Sequence, residues 1–154
     1  MNSIKVALAT KKDKDGLISY FKHYGIKEII RNRVDCYTSH NFTVVAKDGA
    51  DIIGVLQWHV KEDPRMGVVE FEEVHIKEGY RGRGICSELI KCSIWFVNVF
   101  FKKIKVKPRK IFLFVSKQNK IARKLYEKHG FKLVSDVGDL FSDNKTELFY
   151  ILDL

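Results

Sequence analysis

The chain has 154 residues, a length that suits one domain and leaves little room for two. Hydrophobic residues make up 45% and aromatic residues 12%, enough for a core, which excludes wholesale disorder. The net charge is +9 and one-sided: residues 1–75 hold 11 basic and 11 acidic side chains, and residues 76–154 hold 17 basic and 8 acidic. An excess confined to one half suggests an anionic partner.

The three cysteines, Cys36, Cys86 and Cys92, are odd in number and follow no pattern, so no disulfide framework is implied. The five histidines are scattered and no Cys-x-x-Cys occurs, so no metal is expected. The opening MNSIKVALATKKDKDG lacks the apolar run of a signal peptide. The most apolar stretch, Ser93 to Phe101, includes Asn98 and is too short to span a bilayer. A reduced, cytoplasmic protein with no membrane partner is expected.

In chain order, Ile4 to Ala9 reads as a strand. Asp13 to Tyr24 carries a helical stripe of Leu17, Ile18, Phe21 and Tyr24, closed by Gly25. Lys27 to Val34 predicts a second short helix. Phe42 to Ala46 and Asp51 to Val60 are β-branched runs joined by a Lys-Asp-Gly-Ala turn, a hairpin signal. Val68 to Ile76 follows as a strand after a turn at Pro64 and Gly67.

Next comes a long helix with Ile85, Leu89, Cys92, Phe96, Val99 and Phe100 on one face. Ile90, Ile94, Trp95, Val97 and Phe101 cover a second face, which predicts burial on two sides. Ile111 to Val115 reads as a central strand. Asn119 to His129 predicts a helix with Ile121, Ala122 and Leu125 inward and Gly130 as its stop. Phe131 to Ser135 and Glu147 to Leu152 close the chain as strands around a polar loop. The order β-α-α-β-β-β-α-β-α-β-β predicts one α/β domain over residues 1–154, with a parallel crossover through the long helix.

Glu78-Gly-Tyr-Arg81-Gly82-Arg83-Gly84-Ile85-Cys86 joins a strand to that helix. Glycines at such a turn let backbone N–H groups converge, and the helix terminus adds about half a positive charge. Arg81 and Arg83 supply donors matched to phosphate oxygens. A tight turn with solvated arginines is the plainer reading. The dinucleotide fingerprint fails, because Ser87 stands at its third glycine and Lys102 to Lys105 brings no acidic ribose partner. The P-loop string Gly-Lys-Ser/Thr is missing.

Arg81-x-x-Gly84-x-Cys86 resembles the Arg/Gln-x-x-Gly-x-Gly/Ala signature of the GNAT superfamily of acyl-CoA-dependent N-acyltransferases. Asn119-Lys-Ile-Ala-Arg-Lys-Leu-Tyr126-Glu-Lys-His-Gly130-Phe131 resembles that family's fourth helix. Tyr80 to Ile90 is similar to the spermidine/spermine acetyltransferase branch. The departure is Cys86, where the family prefers Gly or Ala. The resemblance implies a mixed, mostly antiparallel sheet of six to seven strands flanked by four helices. It implies acetyl-CoA as acyl donor, with pyrophosphate on Arg81, Gly82, Arg83, Gly84, Ile85, Cys86 and Ser87. It also implies pantetheine along Val74, His75 and Ile76, where the plain reading is core packing.

Transfer to an amine needs a base, and Glu70, Glu72 and Glu73 lie on one strand. Alternation puts Glu70 and Glu72 on one face and Glu73 on the other. The resemblance implies Glu72 or Glu70 as base and Tyr126 as the acid beside the leaving thiolate; a solvated acidic strand and a core tyrosine are the alternatives. Asn119 either touches pantetheine or caps its helix. The resemblance implies that the acidic loop Asp136 to Glu147 borders the acceptor, where it would draw a cation, a polyamine-like amine or a protein lysine or N-terminus; a solvated turn is the plainer reading. Six basic residues in Lys102 to Lys110 read first as a solvated loop and leave open a nucleic-acid or protein contact, although no nucleic-acid motif accompanies them. A CoA-binding scaffold without turnover and a homodimer also remain open.

Overall fold

The computed structural model describes residues 4–39 and 41–154. In chain order its elements are β1 (Lys5–Leu8), α1 (Lys14–Tyr20), α2 (Lys27–Ser39), β2 (Phe42–Asp48), β3 (Asp51–Val60) and β4 (Val68–Ile76). There follow α3 (Ile85–Lys103), β5 (Lys110–Ser116), α4 (Lys120–Lys128), β6 (Lys132–Gly138) and β7 (Thr146–Asp153). Among the described residues the strands form a seven-stranded sheet in the order β1-β2-β3-β4-β5-β7-β6. The β4–β5 pair, the two ends of the α3 crossover, is parallel. The predicted element order and mostly antiparallel sheet are both present. No helix among the described residues is long and apolar enough to cross a membrane.

The chain divides into two compact units. One comprises the residues up to His59 together with Glu73–Phe96. Its core gathers Leu17, Phe21, Ile30, Val34, Val45, Ile52 and Val55, all buried. The β2–β3 hairpin carries a bulge at Ala46/Lys47. Gly54 of β3 leaves room for side chains of β4 and α3: a Cβ there would stand 2.5 Å from Ile76 Cδ1 and 3.3 Å from Leu89 Cδ1.

The other unit comprises Val60–Glu72 and Val97–Leu154. Ile111, Leu113 and Val115 of β5 and Leu148 and Tyr150 of β7 form one buried face. Phe131 meets Phe71 at 6.1 Å and Tyr126 at 5.7 Å between ring centroids. The Tyr150 hydroxyl donates to Glu127 Oε1 at 2.8 Å, so this buried ring keeps its polar tip satisfied. α3 ends in a Schellman closure, Val106 N–H to Phe101 O and Lys105 N–H to Lys102 O, with Lys105 in the left-handed region at φ 58°.

Several local expectations are corrected. The segment Asp13 to Tyr24 is no single helix: 3₁₀ turns at Lys11–Asp13 and Phe21–Tyr24 flank α1. Thr10 fixes the entry, its N–H donating to Asp13 Oδ2 at 2.8 Å. α2 runs to Ser39, beyond Val34. α3 buries one stripe, Ile85, Leu89, Ile90, Ser93, Val97 and Phe101, rather than two faces; Trp95 is 58% exposed. In α4, Ile121 is 85% exposed and Tyr126 is buried instead. One position on a helix is a rotation of about 100°, enough to move a side chain from core to water. β6 begins at Lys132 and extends to Gly138, taking Asp136 out of the loop.

The crowding at Gly54 gives a stability test. Gly54→Ala is expected to cost about 1–3 kcal/mol as an overpacked contact. Urea unfolding should show a lower midpoint at an unchanged m-value.

Candidate active site

In the first unit, β4 leads into a turn whose every part is braced. Lys77 N–H donates to Ile53 O at 2.8 Å, tying the strand end to β3. Glu78–Tyr80 is a 3₁₀ turn, and the Tyr80 hydroxyl donates to Asp48 Oδ2 at 3.1 Å. Arg81 Nε donates to Ile76 O at 3.2 Å. Arg83 donates to Gly79 O at 2.9 Å and its guanidinium lies 5.0 Å from the Tyr80 ring centroid. Neither arginine is simply solvated, as the plainer reading held.

Gly82 and Gly84 stand at φ 75° and 77°, a region that side chains disfavour. A Cβ built on either meets nothing within 4 Å, so the turn borders open space. Glu88 N–H closes back on Gly84 O at 3.2 Å. The amides of Ile85 and Cys86 precede that closure and stand at the positive end of a 19-residue helix. The arrangement suits an anion with several oxygens. Burial pushes the Cys86 thiol up to about 11, so it stays neutral and brings no negative charge to this site.

Upstream on β4, His75 and Glu73 form a network that the sequence did not reveal. The Tyr20 hydroxyl lies 2.6 Å from His75 Nδ1 and donates to the His75 carbonyl at 3.0 Å. With the phenol proton on that carbonyl, an Nδ1–H tautomer satisfies the short contact. Tyr24 donates to Glu73 Oε1 at 2.8 Å, and Arg33 Nη2 is 3.4 Å from Glu73 Oε2. Burial and hydrogen bonding to Glu73 raise the Tyr24 phenol. Glu73 is thus held by a cation and a phenol. Ile76, facing the other way, is buried beside Gly54. Val74 is half-buried.

In the second unit, Glu70 sits opposite Phe112 on β5 and pairs with Lys61 at 3.3 Å. Glu72, two positions on, shares that face of the strand and is exposed. Asn119 caps α4, its side chain accepting from Ala122 N–H at 3.1 Å. Tyr126 is 6% exposed, its ring edge-on to Phe131. Ser87 is half-buried in the first turn of α3. Sequence reasoning also missed an aromatic surface of Phe112, Phe114, Phe141 and Phe149. The alternating Phe112-x-Phe114 was the available signal.

Known proteins share this fold. The model of the acetyltransferase (GNAT) family matches residues 10–131. No curated protein matches in sequence. An acetyltransferase of the GNAT family from Streptococcus pneumoniae superposes with a TM-score of 0.80 at 17% identity, covering 99% of both chains. YncA of Salmonella typhimurium, solved with its cofactor acetyl-CoA, gives 0.79 at 16% identity, covering 99% of this chain and 95% of that one. The spermidine/spermine N-acetyltransferase SpeG of Vibrio cholerae gives 0.74 at 16% identity, covering 98% and 95%. At such identities these likenesses establish the fold.

The His75 surroundings predict a titration. Burial first, then the charges of His23 and Arg81, lower its pKa below 6.5, while Glu73 opposes. A depressed histidine costs the folded state only when protonated, so stability falls as pH drops below 6.5 and is unaffected above it. Imidazole C–H shifts should place the His75 midpoint under 6.5; a midpoint above it would contradict the assigned environment.

Proposed function

The chain belongs to the GNAT acetyltransferase family, and from that premise we propose that it is an acetyl-CoA-dependent N-acetyltransferase acting on a primary amine. The acceptor is a small polyamine-like molecule or a protein lysine or N-terminus, and transfer is direct. The observation that carries this reading is the open glycine turn at the head of α3. Residues there fit a pyrophosphate: two left-handed glycines leave space, amides face one end of a helix, and two guanidiniums are already anchored. YncA with its acetyl-CoA supports the choice of donor, and SpeG supports the choice of amine.

Arg81, Gly82, Arg83, Gly84, Ile85, Cys86 and Ser87 would hold the pyrophosphate. The backbone of Val74, His75 and Ile76, with the Asn119 side chain, would align the pantetheine. The donor supplies a thioester carbonyl open to attack. A primary amine has a pKa near 10, so most of it is protonated at neutral pH and must lose a proton first. Glu72, exposed, or Glu70, ion-paired with Lys61, would take that proton directly or through water. Glu73 is less suited, since Arg33 and Tyr24 already occupy its oxygens. The Tyr126 hydroxyl would return a proton to the departing thiolate.

Thiol release from acetyl-CoA with a panel of amines tests the reading. Arg81→Ala should weaken acetyl-CoA binding roughly 10- to 100-fold, as expected for lost charge-assisted hydrogen bonds. Tyr126→Phe should lower kcat by about 100-fold with donor binding unchanged. A wild-type chain that fails to bind acetyl-CoA would end the proposal. A Tyr126→Phe variant at full kcat would remove the acid role.

A further inference from the structure

α3 buries a stripe that includes Leu89, Ser93 and Val97. The side of a helix that faces away from such a stripe is ordinarily polar. Here that side carries Trp95, 58% exposed, with Val99 beside it at 43%. Phe96 stands edge-on to the Trp95 ring at 4.8 Å and, like Cys92, is half-buried at the border of this side. A lone exposed apolar residue needs no explanation, but a tryptophan with apolar neighbours on one outward helix face marks a contact surface.

The charges on the same line name its occupant. Glu88 stands seven residues before Trp95 and Lys102 seven after it, and all three are exposed. Seven residues turn an α-helix through about 700°, close to two full turns, so the three form one line down the outward side. They belong to one continuous helix, whose own geometry sets their spacing. A second copy laid antiparallel on this line, with the two-fold axis at Trp95, sets Trp95 against Trp95 and Glu88 against Lys102 at both ends. Laid parallel, it would set like charges against each other. An isologous contact needs such self-complementarity, and antiparallel helices crossing at about 20° keep both ends within reach. Glu88 Oε1 already binds Lys91 at 2.9 Å. That exposed pair is weak, and a carboxylate accepts a second cation on its other oxygen. The Lys91 stem would cover Val99 of the second copy.

We propose that the outward face of α3 pairs with a second copy of the chain as an antiparallel helix dimer centred on Trp95. This holds whether or not the chain transfers acetyl groups. One helix face is smaller than a standard interface, so the dimer is weak, with a Kd of about 10–100 µM. Sedimentation equilibrium up to about 200 µM spans that range and should show association. Trp95→Ala and Val99→Asp, both at exposed positions, should each weaken it at least about tenfold with the far-UV spectrum unchanged. Glu88→Lys and Lys102→Glu should each weaken it about three- to tenfold, and the double reversal should restore it. A chain that stays monomeric overturns the dimer. So does association indifferent to Trp95→Ala and Val99→Asp, which would use another face. A double reversal that recovers nothing overturns the antiparallel pairing. A monomer whose tryptophan fluorescence shifts on anionic lipid vesicles also overturns the dimer, since the face would then meet a membrane.

Discussion

A β-strand turns its side chains alternately to its two faces, and in β4 that rule separates three neighbouring carboxylates. Phe71, Glu73 and His75 point one way and are absorbed by their surroundings: Phe71 by Phe131, Glu73 by Tyr24 and Arg33, His75 by Tyr20. Glu70 and Glu72 point the other way. Shifting the strand by one residue would exchange the two sets. The buried phenyl ring of Phe71 and the Arg33 partner of Glu73 make that exchange costly, because a charge would enter the core and a ring would leave it. Which acids on β4 meet Tyr24 and Arg33, and which meet the opposite face, therefore depends on its register.

Element order was legible because each segment carried its own period, and the glycine turn was legible because glycines, arginines and a following helix stripe fell together. Misreadings came where the answer depended on what covers a face. Trp95 and Ile121 have apolar side chains at helical spacing, yet both look outward. The periodic pattern of a helix shows that a stripe exists but not how wide its cover is. The β5 run is central, as its continuous apolar stretch implies, with Ile111, Leu113 and Val115 on its fully buried face. The Glu73 partners could not be read at all, since Tyr24 lies 49 residues before it in the chain. Contacts of that span are set by the folded topology, and no local spacing encodes them.

Structure also divides the positive charge that dominated the sequence. Arg81 and Arg83 are anchored at the glycine turn, so their charge is preorganised there. The basic run at 102–110 has a separate local logic. Lys102 and Lys103 occupy the last turn of α3, where cations oppose the negative end of the helix. Lys110 pairs with Asp153 at 2.5 Å. Arg109 uses its backbone, donating to Gly67 O at 2.7 Å and accepting from Leu154 N–H at 3.0 Å. Much of this run is accounted for by how a helix ends and the next strand begins.

The thiol in the first turn of α3 has a chemical consequence. A protein that handles a thioester must avoid intercepting the acyl group itself, and a cysteine thiolate is a competent interceptor. With its pKa pushed up to about 11, Cys86 is a thiolate in only about one molecule in ten thousand at neutral pH. Burial in place of the usual glycine or alanine thus keeps a nucleophile silent. A residue that looked like a flaw in the motif is made compatible with acyl transfer by its surroundings.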